Sequence, residues 1–138
     1  MRAMPRHLME HPEDVAIVGL APDAVLDWEW SGGPFSTLTR TSTETSLVCL
    51  ADRVPEGLRT EGPFRVVEVA GPLAFEAIGV FAEILDPLAA AGISVLGFST
   101  FDTDWFLIRK ERMAEAAATW RQAGLVLTPT SLTAGPGS

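Results

Sequence analysis

Hydrophobic and polar residues alternate along several short stretches of this chain, and the alternation predicts β-strands separated by turns rich in proline and glycine. Strands are predicted at 14–21, 35–41, 45–51, 64–70, 93–100, 105–109 and 125–128. Between the third and fourth strands lies a segment that holds two prolines and two glycines, which predicts a linker at 52–63.

Apolar residues recur at spacings of three and four in two other stretches, and this spacing is typical of amphipathic helices. The first predicted helix, at 75–91, places Ile78, Phe81, Leu85 and Leu88 on one face. Pro87 falls inside it and is expected to kink it, and Gly92 is expected to stop it. The second predicted helix, at 111–123, has an apolar face and Gly124 as its stop, the face being formed by Met113, Ala117 and Trp120.

The order strand, helix, strand, strand, helix, strand in the second half predicts an α+β, ferredoxin-like βαββαβ domain, an antiparallel sheet with its helices on one face. The first half keeps the strands of this plan but has little room for its helices. We therefore expect a duplicated architecture with a reduced first repeat. The predicted divisions are a flexible lead-in at 1–13, the reduced repeat at 14–62, the complete domain at 63–128 and a disordered tail at 129–138.

A local similarity between the two halves supports this expectation. Offsetting the chain by sixty positions pairs Thr103 with Thr43 and Asp104 with Glu44, and it aligns the apolar residues that follow. Each copy combines a polar strand exit, an acidic turn and an apolar strand. Self-similarity at a fixed offset is the signature of a repeated structural unit.

Composition and net charge disfavour some classes of function for this chain. The 138 residues carry a net charge of −8, which disfavours nucleic acid and anionic membrane as partners. Because we find neither an apolar run long enough to span a membrane nor a signal peptide, we expect a cytoplasmic protein. The one cysteine, Cys49, lies in an apolar strand and is predicted to be a small buried side chain. Arg40, Arg53 and Arg109 are expected to be isolated surface charges.

Candidate binding chemistry lies at the start of the first helix and in the turn near residue 102. No residue from Gly71 to Ala74 can cap the helix with a side chain, so a ligand carboxylate is expected to bind its free N–H groups near Gly79. Asp104 is expected to receive an ammonium group, whereas Asp102 is expected to shape the turn. Together these groups match the two ends of a zwitterionic amino acid.

One further motif allows a different interpretation. His7, Glu10 and His11 match the H-x-x-E-H pattern of some zinc proteases, which requires both histidines on one stable helix. At a terminus followed by Pro12, we expect instead a solvated lead-in, and no metal or other cofactor is predicted.

The residues also resemble a known family. The runs GPLAF at 71–75, IGV at 78–80, LAAAGIS at 88–94 and STFDTD at 99–104, with TRT at 39–41, Glu44 and SLVC at 46–49, are similar to those of tandem ACT-domain proteins of the CASTOR type. The resemblance covers residues 14–127. It implies a non-catalytic sensor that binds an amino acid, arginine in CASTOR proteins, at the interface between ACT repeats. It also implies a homodimer and a regulated enzyme or protein partner.

The resemblance also implies which residues contact the ligand. One wall would be formed by Ser46 and Leu47. The helix start and the turn would supply the remaining contacts, namely Ala74, Ala77, Ile78, Gly79, Val80, Phe101, Thr103 and Asp104. The chain departs from the family where Ala77 occupies the position of an acidic residue, while Glu76 lies one position earlier.

Two alternatives belong to other functional classes. One is a small biosynthetic enzyme that uses Asp102, Asp104 and Glu76 or Glu44 for acid–base chemistry, which needs a carboxyl with a tuned pKa in a closed pocket. The other is a module for oligomerisation or protein interaction alone. The fold by itself does not discriminate among these functions.

Overall fold

In a computed structural model, which describes residues 6–71 and 79–130, the chain forms seven strands and two helices within the described ranges. The strands are β1 (His7–Leu20), β2 (Thr37–Arg40), β3 (Thr45–Leu50), β4 (Arg59–Val69), β5 (Leu96–Ser99), β6 (Asp104–Arg109) and β7 (Val126–Pro129). The helices are α1 (Val80–Ala90) and α2 (Met113–Gln122). Neither helix has the length and apolar character needed to span a membrane.

The chain divides into two compact units. One comprises residues 13–64 and is called here the strand unit; the other comprises residues 1–12 and 65–138 and is called the helical unit. The divisions fall inside β1 and β4. The helical unit is therefore discontinuous in sequence, whereas the predicted complete domain was a single segment at 63–128.

The helical unit contains both helices and the strand order β7-β1-β4-β6-β5. Its core is apolar, and Trp120 is its largest fully buried side chain, donating its indole N–H to the Ile84 carbonyl at 2.9 Å. The core consists of Leu8, Val67, Val69, Ile84, Leu88, Ile93, Phe106, Ile108, Met113, Ala116, Ala117, Trp120, Leu125 and Leu127. This α+β arrangement agrees with the predicted ferredoxin-like class.

The N-terminal part of β1 corrects the predicted lead-in at 1–13. Residues from His7 onward form a strand that pairs in parallel with β7, His7 lying opposite Val126 and Leu8 opposite Leu127. Leu8 is fully buried. The short run is too polar to predict a strand locally, and it becomes one because its backbone pairs with residues far away in sequence.

The helices agree with the predicted pattern except at their starts. α1 begins at Val80, with Ile84 and Leu88 fully buried, and Pro87 lies inside it. Residues 72–78, which include the predicted first turn, lie outside the described residues. α2 begins at Met113, after a 3-10 turn at Lys110–Arg112. Gly92 and Gly124 follow the helix ends with φ of 73° and 93°, which confirms their predicted role as stops.

The strand unit has the order β2-β3-β1-β4 and its own small core. Val18, Leu47 and Cys49 are fully buried there, and Trp28 and Trp30 pack against them. The predicted linker at 52–63 is shorter than expected, because β4 already begins at Arg59. The remaining partly buried members of this cluster are Leu20, Leu26, Leu38, Val54 and Leu58.

Both units contain a hairpin of the same form, at an offset that differs from the predicted sixty. Thr37–Arg40 and Thr45–Leu50 lie fifty-nine positions before Leu96–Ser99 and Asp104–Arg109. The structural counterpart of Asp104 is therefore Thr45, and that of Glu44 is Thr103. The predicted pairing of Asp104 with Glu44 is wrong by one position, which in a strand reverses the face that a side chain occupies.

Candidate functional site

A cavity of about 530 Å³ lies in the helical unit, beside the end of β4 and the turn between β5 and β6. It is lined by Met9, Glu68, Ala70, Gly71, Asp102 and Thr103. Two of these residues carry carboxylates and none is basic, so the lining is negatively charged at neutral pH. Its volume falls in the range usual for small-molecule pockets.

Thr103 fixes the turn that brings Asp102 to the cavity. Its hydroxyl is buried and donates to the Val69 carbonyl at 2.7 Å, which fastens the turn to β4. The Thr100 N–H donates to the Thr103 carbonyl at 2.9 Å and closes the turn. Thr103 was predicted to contact a ligand; it lines the cavity, and its hydroxyl donates to the protein backbone. Phe101, at the tip of the turn, is 85% exposed.

The two aspartates of this hairpin occupy different positions. Asp102 lines the cavity, although it was expected only to shape the turn. Asp104 lies opposite Ser99 at the start of β6 and accepts a hydrogen bond of 2.8 Å from its hydroxyl. The carboxylate that was expected to receive an ammonium group thus has a protein donor.

The start of α1 differs in detail from the predicted cap. Gly79 is exposed and precedes the helix as its N-cap, with φ of 81°, a left-handed conformation that glycine adopts without strain. Among the residues that the structure describes, no side chain caps the helix there. Val80 is buried in the first turn. The other predicted contacts of this segment, Ala74, Ala77 and Ile78, lie outside the described residues, as does Glu76.

Ser46 and Leu47 belong to the strand unit. Ser46 is half-buried on β3 between Gly19 and Thr39, and Leu47 is fully buried in the core with Val18. The buried side chain of Leu47 contributes to packing. Their predicted role as a wall of the ligand site stays a prediction.

Met9 and Glu68 line the cavity but were not predicted as site residues. Glu68 stands between Val67 and Val69, which are both fully buried, so strand alternation directs its side chain away from the core. That alternation was a usable signal. Met9 had none, because the strand that carries it was not predicted. The carboxylate of Glu68 also contacts His11, whose Nε2 lies 2.9 Å from Oε1.

The zinc-protease interpretation is wrong. His7 and His11 lie on a β-strand, and the motif requires a helix. His7 contacts the Thr128 hydroxyl and His11 contacts Glu68. Among the described residues, no cluster of three or more His, Cys, Asp or Glu side chains is arranged to hold a metal ion.

The strand unit has a cavity of its own, of about 480 Å³, lined by Glu13, Asp14, Leu50, Ala51 and Asp52. Cys49 is fully buried, as predicted. Burial raises the pKa of the Cys49 thiol, and the nearby Arg53 guanidinium offsets part of that rise. A neutral thiol is a poor nucleophile, so Cys49 has the properties of a packing residue.

Comparisons with known proteins agree with this fold. Residues 59–121 match the profile of the ACT domain. A search of curated proteins finds no match. A crystal structure of a protein from Agobacterium tumefaciens superposes with a TM-score of 0.86 at 31% identity, over 94% of this chain and 97% of the other.

Two more distant structures share the fold. A Vibrio cholerae protein of unknown function, described as a possible transport protein, superposes with a TM-score of 0.69 at 19% identity over 86% of this chain and 89% of its own. Escherichia coli aspartokinase III, in complex with aspartate and ADP, superposes with a TM-score of 0.59 at 11% identity over 85% of this chain and 32% of the enzyme. The chain therefore contains an ACT domain and belongs to the same family as the Agobacterium tumefaciens protein.

Proposed function

We propose that this chain is a non-catalytic regulatory module that binds an amino acid or a similar small zwitterion in the cavity of its helical unit. The observation that carries the proposal is the cavity of about 530 Å³ with Glu68 and Asp102 in its lining. ACT domains are in general regulatory modules that bind small molecules, and the related aspartokinase III structure contains aspartate.

The lining suits one end of a zwitterion in particular. Carboxylates of Glu68 and Asp102 offer acceptors to an α-ammonium group, and a charge-assisted hydrogen bond is about twice as strong as a neutral one. Gly71 opens the segment that leads to α1, and the first N–H groups of a helix have no partner within it, which suits them to bind a carboxylate. The proposal keeps the predicted helix-start contacts for the ligand's carboxylate, namely Ala74, Ala77, Ile78, Gly79 and Val80. It keeps Phe101 as a predicted contact from the turn.

The proposal keeps the finer expectations that the resemblance suggested. These are a CASTOR-type protein with a duplicated ACT architecture, a cytoplasmic homodimer, and a regulated enzyme or protein partner. Ser46 and Leu47 stay in it as the expected opposing wall. The recurrence of one hairpin at an offset of fifty-nine positions supports duplication, because both copies share their turn bonds as well as their strands.

Isothermal calorimetry against the twenty amino acids tests the proposal. We expect saturable binding of at least one of them, and loss of that binding in both Glu68→Gln and Asp102→Asn, which remove charge while keeping shape. Asp104→Asn is the matched control, since Asp104 does not line the cavity and its Oδ1 accepts from Ser99. A flat response from all twenty would overturn the proposal.

The same variants separate the binding site inferred from the structure from the one predicted from sequence. Loss of binding in Asp104→Asn with retention in Asp102→Asn would return the ammonium site to Asp104. Turnover of a candidate substrate that depends on Asp102 would favour the enzyme alternative.

A further inference from the structure

The face of the helical unit's sheet opposite its core carries a histidine that contacts one of the two cavity carboxylates. His11 Nε2 lies 2.9 Å from Glu68 Oε1, with the two side chains 17% and 23% exposed. The other ring nitrogen, Nδ1, lies 3.4 Å from the Thr130 hydroxyl. The Trp105 indole stacks on the ring with centroids 6.0 Å apart and an interplanar angle of 24°. Contacts from three directions therefore fix the imidazole.

We propose that His11 is a positioning residue whose charge sets how much of the negative charge of Glu68 the cavity presents to a ligand. The inference rests on the proposed function of the cavity. It adds a regulation of that site by protons, because an imidazole changes its charge within the physiological pH range.

The contact between His11 and Glu68 determines whether protonation of His11 strengthens or weakens the binding of a cation. A neutral imidazole with its proton on Nε2 donates to Glu68 and orients the carboxylate without cancelling its charge. An imidazolium forms an ion pair with Glu68 and leaves Asp102 as the uncompensated carboxylate of the lining. Protonation thus weakens the attraction of the cavity for a cation, and a bound cation in turn favours loss of the proton by linkage.

Other charged groups lie on the strands around His11. Glu13, two residues after His11 on β1, has a buried Oε1 without a hydrogen-bond partner among the described residues. In the helical unit the others are Glu10 on β1, Arg65 on β4, and Asp104 and Arg109 on β6. Arg65 pairs with Glu10 at 3.4 Å, and Asp104 accepts from Ser99. Glu68 is the carboxylate in contact with the ring. The pH response is therefore assigned to the His11–Glu68 pair.

The chain supplies its own control. His7 lies four residues before His11 on the same strand, is exposed, and contacts the Thr128 hydroxyl. These are the two histidines of the sequence. A pH response that belongs to the pair must disappear in His11→Gln and survive in His7→Gln.

The first measurement needs no ligand. A protonated imidazole stacked on an indole quenches its emission, so we expect tryptophan fluorescence to rise as the pH increases from about 5 to 8. The rise should persist in His7→Gln and disappear in both His11→Gln and Trp105→Phe. An unchanged rise in His11→Gln would overturn the assignment of the titrating group.

The second measurement uses L-arginine, whose α-ammonium and guanidinium groups are both cationic, as a calorimetric probe between about pH 5.5 and 8. The probe stays charged across this window. We expect binding to tighten by about tenfold toward pH 8 in the wild type and in His7→Gln, and to be independent of pH in His11→Gln.

The outcomes separate the two proposals. If the wild type binds L-arginine equally well at both pH values, the coupling through His11 is overturned while the binding site stands. If none of the twenty amino acids binds at either pH, the proposed function fails, and the coupling to a ligand fails with it. In that case a fluorescence rise lost in His11→Gln would report the protonation of the stacked ring alone.

Discussion

The hairpins β2–β3 and β5–β6 share one turn. In the strand unit the Thr41 N–H donates to the Glu44 carbonyl at 2.9 Å, and in the helical unit the Thr100 N–H donates to the Thr103 carbonyl at 2.9 Å. Each threonine hydroxyl donates to the same carbonyl as its own N–H, at 3.3 and 3.0 Å. A threonine at the first position is therefore what the two turns have in common.

The residues between these bonded positions differ. The strand unit has Ser42 and Thr43 where the helical unit has Phe101 and Asp102. Since the turn forms equally well with either pair, its geometry requires neither a phenylalanine nor an aspartate. This comparison weakens the view that Asp102 only shapes the turn, and it leaves the cavity as the feature that Asp102 serves.

The two facing strand residues next to each turn also differ between the hairpins. Arg40 lies opposite Thr45 and donates to its hydroxyl at 2.9 Å, and further donates to the carbonyls of Pro22 and Ala24. Arg40 was expected to be an isolated surface charge; the structure shows that it anchors the loop after β1. In the other hairpin the corresponding pair is Ser99 and Asp104, joined to each other.

The largest expected loss of stability comes from a substitution that disrupts the turn of the helical unit. Thr103→Val keeps the shape of the side chain but leaves the buried Val69 carbonyl without its donor, and should lower the free energy of unfolding by about 2 kcal/mol. Glu44→Ala changes the exposed counterpart and should cost less than about 0.5 kcal/mol. Urea denaturation compares the two; equal costs would contradict the assigned role of Thr103.

The second largest loss of stability is expected in the loop after β1, which Arg40 anchors. Arg40→Ala removes three hydrogen bonds and should lower the free energy of unfolding by about 1.5 kcal/mol, since the bonds are partly exposed to solvent. Ser99→Ala, at the corresponding position, removes one bond and should cost about 0.5 kcal/mol. Thermal denaturation of both variants measures the difference, and a smaller loss for Arg40→Ala would show that the loop is held by its tryptophans instead.

The third prediction concerns how stability depends on pH. Cys49 and its counterpart on β6, Ile108, are both fully buried, but only the cysteine can ionise. Burial raises the pKa of the Cys49 thiol above that of an unfolded cysteine, so the unfolded state loses its proton first as the pH rises. Stability should be intact below about pH 8 and should fall by up to about 1 kcal/mol per pH unit above it. Urea denaturation at pH 7 and 9.5 measures this fall. Cys49→Val, which has no ionisable group, should reduce it, and an equal fall in that variant would assign it to other groups.

The smallest effect on stability is expected from exchanging the residues of the two turns, and this exchange also tests most directly whether the turn of the helical unit belongs to the binding site. Replacing Phe101 and Asp102 by the Ser and Thr of the other turn should change the free energy of unfolding by less than about 0.5 kcal/mol, since the turn bonds remain. Amino-acid binding, measured by calorimetry, should be lost. The reciprocal change, Ser42→Phe with Thr43→Asp, is the control and should leave binding unaltered. Retained binding in the first double variant would remove the turn from the site.

Much of the fold was predictable because its signals are local. Strands β3 and β6 match the predicted bounds to within a residue, and the stripe that includes Ile84 and Leu88 does form the buried face of α1. The N-terminal part of β1 was missed because its stability comes from pairing with β7, more than a hundred residues later. No local pattern encodes such a pairing.

The site was less predictable for a related reason. The turn from Phe101 to Asp104 was recognised, but which of its two aspartates lines the cavity depends on contacts that the sequence does not show. Asp104 accepts from Ser99 across the hairpin, whereas Asp102 lies in the turn that Thr103 fastens to β4 beside the cavity. Glu68 was visible as an outward position on β4. Its importance comes from its contacts with His11 and the cavity, which bring together β1, β4 and the turn between β5 and β6.

The discontinuity of the helical unit has a consequence for synthesis of the chain on the ribosome. Residues 13–64 form a unit that is contiguous in sequence, so all of its residues have emerged once Phe64 has been made. His7 to Glu10, made earlier, must wait for Val126 to Pro129 before their edge is paired. A strand edge left open in this way is prone to pairing with other chains. The polar side chains of this part of β1, His7 and Glu10 among them, make its open edge less prone to such pairing during that interval.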